Sequence, residues 1–254
     1  MKRIFNELQQ RNRILFLMGW ICLAGAVACG ILTQFSDTIV LGISAFIKPM
    51  KFFLSICIFS WSMGWYLYYL DMPRRTKSYS IMLVLVFAYE MFVILWQAAN
   101  GRLSHFNIDT PLYATLFTMM GLAIMVLWFW SVVILIFFFR KKQFTIPTPY
   151  VWGIRLGLLV FLIFTLEGGV MSSRLSHTVG AADGSAGLPI VNWSRQYGDL
   201  RVAHFFGMHA LQIIPLFSYF VAKRTRSVQI FSGIYFLLVM ALFLEAINGF
   251  PLFF

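Results

Sequence analysis

Three acidic side chains, Glu90, Glu167 and Glu245, and one histidine, His209, stand inside stretches of sequence that are otherwise almost wholly apolar. An ionisable group in such a setting is expensive and normally faces a bundle interior with a partner. Carboxylates and imidazoles so placed can exchange protons, bind ions or, in the case of imidazole, ligate a metal. The segment GDLRVAHFFGMHALQIIPL, Gly198 to Leu216, concentrates the question. It opens with Asp199 and Arg201 and then carries His204, His209 and Gln212 into an apolar run.

The elements that must position these groups follow from composition. Hydrophobic residues make up 60% of the 254 residues against 11% charged, with 28 Phe, so the chain reads as an integral membrane protein. Apolar runs long enough to cross about 30 Å of hydrocarbon fall at 14–34, 48–70, 80–99, 112–139, 151–171, 201–222 and 228–250. The expected fold is all-α, a single seven-transmembrane-helix bundle over residues 1–254. Asp109 or Thr110 is the expected N-cap of the fourth span, with Pro111 at its first helical position. No inverted repeat of the kind many transporters show is visible.

The net charge of +11 calls for no nucleic acid. Lys2, Arg3, Arg11 and Arg13 precede the first span; Arg74, Arg75 and Lys77 follow the second; Arg140, Lys141 and Lys142 follow the fourth; Lys223, Arg224 and Arg226 follow the sixth; and Arg155 opens the fifth. These are fourteen of the twenty basic residues, all on alternate loops. The positive-inside bias therefore puts the N-terminus in the cytoplasm and the C-terminus outside. Cys22, Cys29 and Cys57 lie within spans at unpaired spacings, which argues against a disulfide framework or a thiolate metal site. The first span and Ala28-Cys29 have the outline of a cleaved leader, but the apolar run is too long, and cleavage would break the charge alternation.

Depth then sorts the polar residues. At 1.5 Å of rise per residue, Glu90 lies about 13 Å below the outer surface, Glu167 and Glu245 roughly 7 Å, and His209 and Gln212 about 12 to 17 Å. Gln97 and Lys51 enter from the same side. The inner half offers mainly Ser60, Ser62 and Ser131, whose hydroxyls can bond to their own helix carbonyls. This asymmetry predicts a polar cavity or network in the outer half, built from Lys51, Glu90, Gln97, Glu167, His209, Gln212 and Glu245. Lys48, Arg102, His105, Asp199, Arg201 and His204 stand at its mouth. Glu90 and Gln97 share a helix face, as do His209 and Gln212, and Glu245 and Asn248. His204 is about 140° around the helix from His209 and is expected at the rim with Asp199 or Arg201. Lys48 and Lys51 flank Pro49 where the second span enters the membrane, a position for a small anionic ligand or a lipid phosphate.

Several chemistries fail on residue content. A retinal protein needs a lysine in its last helix, and residues 227–254 contain none. A eukaryotic G-protein-coupled receptor would have its N-terminus outside. A zinc hydrolase would place two histidines three or four residues apart on one helix, and a haem bundle would match their depths; the chain has neither pattern. His105, His204 and His209 remain the candidates for a metal or haem at the outer face, and no cofactor is favoured. Packing glue between helices is the alternative for each polar residue.

The motifs IKPMKF at 47–52, GRLSHFN at 101–107 and GDLRVAHFFGMHALQIIPL at 198–216 resemble a family of uncharacterised bacterial seven-helix inner-membrane proteins. The resemblance spans most of the chain. It implies the architecture and a bacterial cytoplasmic (inner) membrane, and carries across no activity, cofactor or catalytic residue. The leading expectation is transport or sensing of a small ion or anionic metabolite, with Glu90 and His209 as the protonatable pair. The alternative is a membrane enzyme or redox protein holding a metal or haem through histidines. Substrate and oligomeric state are left open at this level.

Overall fold

A computed structural model describes residues 2–252. In chain order the helices are α1 (Lys2–Arg11), α2 (Arg13–Phe35), α3 (Ile47–Leu67), α4 (Pro73–Ala99), α5 (Pro111–Arg140), α6 (Thr148–Thr165), α7 (Glu167–Arg174), α8 (Leu200–Phe220) and α9 (Thr225–Ile247). A tight hairpin of β1 (Ile39–Val40) and β2 (Ile43–Ser44) joins α2 to α3. A second antiparallel pair, β3 (Thr178–Val179) and β4 (Gly198–Asp199), closes the long connection before α8. Seven helical stretches are long and apolar enough to cross a membrane, counting α3 with the 3-10 turn that follows it, and α6 with α7, as one each. The chain is a multi-pass helical membrane protein.

Local chemistry sets the ends of these elements. Pro73 and Pro111 stand at first helical positions, where a missing N–H is harmless. Thr110, rather than Asp109, caps α5, because its Oγ1 accepts the Tyr113 N–H at 3.3 Å. Leu41 and Gly42 both take positive φ at the β1–β2 turn, the geometry a two-residue hairpin requires. Helix α1 has no counterpart in the apolar pattern, since it is too short and too polar to register as a span.

The chain divides into two compact units, Met1–Trp130 and Ser131–Phe254, and α5 contributes to each. In the first unit α2 and α3 run antiparallel. Gly19 and Gly25 admit the rings of Trp61 and Phe53, while Leu15 lies against Gly64. The Trp61 indole donates to the Phe16 carbonyl at 3.2 Å. The core among α2, α3, α4 and the first half of α5 is rich in sulfur, with Met18, Cys22, Cys29, Cys57, Met91 and Met120 in one cluster.

In the second unit α6 and α8 are antiparallel and share a seam of small residues. Gly153 faces Ser218, Gly157 faces Pro215, and Gly207 faces Phe164. Helix α9 covers the pair through the Phe217–Phe231 stack, with centroids 3.9 Å apart, and through the Tyr235 hydroxyl, which donates to Phe206 O at 2.6 Å. Arg155 finds its role here. Its Nε donates to Phe138 O at 3.0 Å and its Nη2 to Lys141 O at 3.1 Å, so it caps the last carbonyls of α5. The guanidinium sits over the rings of Phe139, Phe144 and Trp152. Arg155→Met is expected to keep the packing, lose the cap and lower stability by about 2 kcal/mol, read as a lower apparent melting temperature in detergent.

Candidate functional site

The polar residues fall into one set in each unit. In the first unit, Glu90 and Gln97 lie on α4, both buried, at 3% and 1% exposure. Glu90 Oε1 and Gln97 Oε1 have no hydrogen-bond partner among the described residues. Lys48, half-buried at the start of α3, is the cation whose charge reaches Glu90. Lys51 is likewise half-buried and engaged within the structure. His105 is held by the turn after α4. Its Nδ1 lies 3.0 Å from Ser104 Oγ, and its ring packs 5.4 Å from Phe52 and 6.3 Å from Phe117. Arg102 is exposed. Four of the expected residues, Lys48, Lys51, Glu90 and Gln97, thus belong to the single pair α3 and α4.

In the second unit the site begins with a break in a helix. The run from Thr148 to Arg174 is interrupted at Leu166, whose N–H bonds three residues back to Ile163 O at 3.2 Å, and α7 starts at Glu167. The Phe164 carbonyl, two residues before the interruption, lies 3.0 Å from His204 Nδ1. A carbonyl only accepts, so Nδ1 carries the proton and Nε2 is left with its lone pair. Glu167, next to the interruption, is 4% exposed, and neither carboxylate oxygen has a hydrogen-bond partner among the described residues. It stands at the positive end of α7 but directly beyond the negative end of α6, so the two helix dipoles offer it little net compensation. Gly168 beside it borders the His204 ring, where an added Cβ would lie 3.6 Å from Cε1.

Several placements differ from expectation. His204 does not pair with Asp199 or Arg201; its Nδ1 is taken by the Phe164 carbonyl. Asp199 instead caps α8. Its Oδ1 accepts the Arg201 N–H at 3.0 Å and Nε at 2.8 Å, and its Oδ2 accepts Ser194 N–H at 2.7 Å and Arg201 Nη2 at 2.6 Å. Arg201 also donates to the Asn192 carbonyl, so this pair anchors the connection rather than waiting for a ligand. His209 and Gln212 do share a face and bond to each other, with Nδ1 and Oε1 3.2 Å apart, under the Phe205 ring. Glu245, expected to be buried, is exposed, because α9 ends two residues later. Of the serines expected to bond within their own helix, Ser62 does, to Ile58 O at 2.8 Å, whereas the buried Ser60 hydroxyl finds no partner among the described residues. No group of three His, Cys, Asp or Glu side chains among the described residues comes together as a metal site.

One residue that sequence reasoning missed is Asp183. Its carboxylate accepts His177 N–H at 3.1 Å, Thr178 N–H at 2.9 Å and the Ser176 hydroxyl at 3.1 Å, and lies 2.6 Å from His177 Nδ1. The available signal was an acid in the same loop as His177, hidden in a Gly- and Ala-rich stretch without periodicity. This knot and the Gly198 N–H, which donates to Gly249 O at 2.9 Å, dock the 175–199 connection at the start of α8 and the end of α9. Burial by itself would raise the Asp183 pKa, but the His177 ring and backbone and Thr178 outweigh it and hold the group well below the usual carboxylate range. A depressed carboxylate pKa adds stability that is present above the unfolded value, about 3.9, and is lost as pH falls through the folded one. Hydrogen exchange in 175–199 is therefore expected to stay slow from pH 7 down to about 4 and to rise only below that. Asp183→Ala should speed it by roughly tenfold or more at pH 7, where the contribution is fully present.

No family model, curated protein or solved structure matches this chain.

Proposed function

We propose that this protein binds a small cation or a proton within the membrane and transports or senses it, with Glu167 and Glu90 as the binding groups. The observation that carries the reading is Glu167: a carboxylate almost fully buried, with both oxygens unbonded among the described residues. Burying an ionised carboxylate without a donor costs several kcal/mol, and whatever brings positive charge or a donor to it recovers that energy. Glu90 repeats the arrangement in the other unit, with one oxygen unbonded and Lys48 as the nearby cation. Two acceptor groups so left favour a cation over the anionic metabolite that the basic residues alone admitted. His204 borders the same helix interruption, and its Nε2 adds a neutral acceptor.

In this reading the protein sits in a bacterial inner membrane with its N-terminus in the cytoplasm. The support is the basic alternation of the loops and the resemblance carried by IKPMKF, GRLSHFN and GDLRVAHFFGMHALQ. Glu90, Gln97 and Glu167 then lie in the outer half, and the ion enters from outside.

The test is flux through proteoliposomes loaded with a pH-sensitive dye, under imposed proton, sodium and potassium gradients, paired with a thermal-shift series in the same ions. Wild type is expected to respond to one of these ions, and Glu167→Gln to reduce the response at least about tenfold, the loss of one charge-assisted contact. A wild-type protein that neither moves nor is stabilised by any cation overturns the proposal.

A further inference from the structure

The antiparallel seam of α2 and α3 brings two cysteines together. Gly19 lies against Trp61 and Gly25 against Phe53, so the residues midway between these contacts, Cys22 on α2 and Cys57 on α3, stand opposite each other. Both thiols are free and almost fully buried, at 1% and 3% exposure. Cys57 is also the ionisable group whose charge reaches Cys22. Met18 is one turn before Cys22 on the same face of α2 and is buried in the same cluster. The spacing of the cysteines along the chain shows no pairing, because Cys22 and Cys57 meet only across two helices.

Ser60 lies on the same stripe of α3, between Phe53 and Gly64, both of which meet α2. It is fully buried, and its hydroxyl has no partner among the described residues. Ser62, on another side of α3, bonds to its own backbone at Ile58 O. That bond is within reach of any helical serine, so a buried hydroxyl left without it is an unmet cost. A thiolate or a bound ligand one turn away would give it an acceptor.

The surroundings set the class of ligand. Cys22 lies about 14 Å along the 23-residue α2, near the middle of the span. The side chains packed around the two thiols, such as Phe53, Ile56 and Ile94, are apolar. A hard cation keeps water or oxygen ligands, and zinc takes four donors, mostly thiolate and imidazole. Thiolate and thioether sulfur select a soft monovalent ion instead. One thiolate with one monovalent cation is neutral, which avoids the cost of a net charge deep in the membrane.

We propose that Cys22 and Cys57, with the Met18 thioether, bind a soft monovalent metal ion, Cu(I) or its analogue Ag(I), in the middle of the α2–α3 seam. One thiol gives up its proton to solvent as its sulfur bonds the metal, and the other thiol and the thioether add neutral lone pairs. The metal keeps its oxidation state. The Ser60 hydroxyl donates to the thiolate and positions it. The site is separate from Glu90 and Glu167 and stands or falls apart from them.

The experiment is anaerobic titration of the full chain in detergent with Ag(I), and with Cu(I) held by a competing chelator, read by native mass spectrometry and metal–thiolate ultraviolet absorption. Wild type is expected to take up one metal ion per chain and release one proton. Ser60→Ala should weaken binding about tenfold, as loss of a hydrogen bond to a ligand does, and Cys22→Ser or Cys57→Ser should weaken it further. Cys29→Ser should leave it unchanged, since Cys29 is about 10 Å further along α2. X-ray absorption of copper-loaded wild type, which needs no variant, should show a shell of sulfur only. Equal losses for all three cysteine variants would mean generic thiol binding and overturn the site. So would a nitrogen or oxygen shell, or a wild-type protein that yields all its metal to the chelator.

Discussion

Glu167→Leu is expected to raise the apparent melting temperature of the protein while abolishing its response to ions. Most substitutions of a buried polar residue do the opposite, because they leave its partner unsatisfied. Glu167 has no such partner among the described residues, so nothing is orphaned when it goes. The desolvation of the carboxyl is removed and apolar contact is added at the α6–α7 junction, a gain of about 1–3 kcal/mol by comparison with other buried ionic groups replaced by apolar ones. The pairing of greater stability with lost response is the signature of a group kept for function. Side-by-side melting curves of wild type, Glu167→Gln and Glu167→Leu in saturating and ion-free buffer decide it. A drop in melting temperature for Leu would mean that Glu167 holds helices together as polar glue, and the ion site would lose its main support.

The second large effect belongs to the scaffold of the same site. Gly207→Ala adds a single methyl, yet that carbon falls well inside contact distance of Phe164 Cβ and 2.9 Å from its Cδ2. The Cβ of Phe164 is fixed to its backbone and cannot swing aside, so α6 and α8 must move apart. Overpacking of this kind costs about 1–3 kcal/mol. It also stretches the His204 Nδ1 to Phe164 O bond, one turn of α8 away, so ion response and stability fall together. Gly233→Ala is the control. Nothing lies within 4 Å of its added carbon, and α9 should gain about 0.5–1 kcal/mol from the better helix former. Equal behaviour of the two variants in melting experiments would mean that the α6–α8 seam is looser than described.

The carboxylates and the histidine illustrate where sequence reading is strong. Burial of Glu90 and Glu167 was legible because an acid flanked by apolar residues for several turns on each side has nowhere else to go. The His209–Gln212 pair was legible because residues three apart share a helix face whatever the tertiary structure does. Glu245 was misplaced by the same reasoning, since hydropathy locates a span to within a turn and this acid sits in the last turn of α9. His204 was given the wrong partner. Its acceptor is a backbone carbonyl on another helix forty residues earlier, and a contact of that kind leaves no mark in hydropathy. The Asp183 knot and the packing of α1 on α3, where Phe5 meets Trp61, were likewise invisible, as both join residues distant in sequence or lacking periodicity.

What the sequence by itself determined is the number of helices long and apolar enough to span and roughly where each falls, because those depend on apolar length counted along the chain. It also determined which residues are too polar for their setting. Tertiary structure alone decided which of those residues find partners. Asp199 and Arg201 satisfy each other and serve as an anchor, Arg155 satisfies the end of α5, and Glu245 reaches the surface, while the oxygens of Glu167 are left buried and unbonded. The physical reason is that burial of a side chain follows from its own helix, whereas satisfaction of its polar atoms depends on donors that only the folded chain brings near.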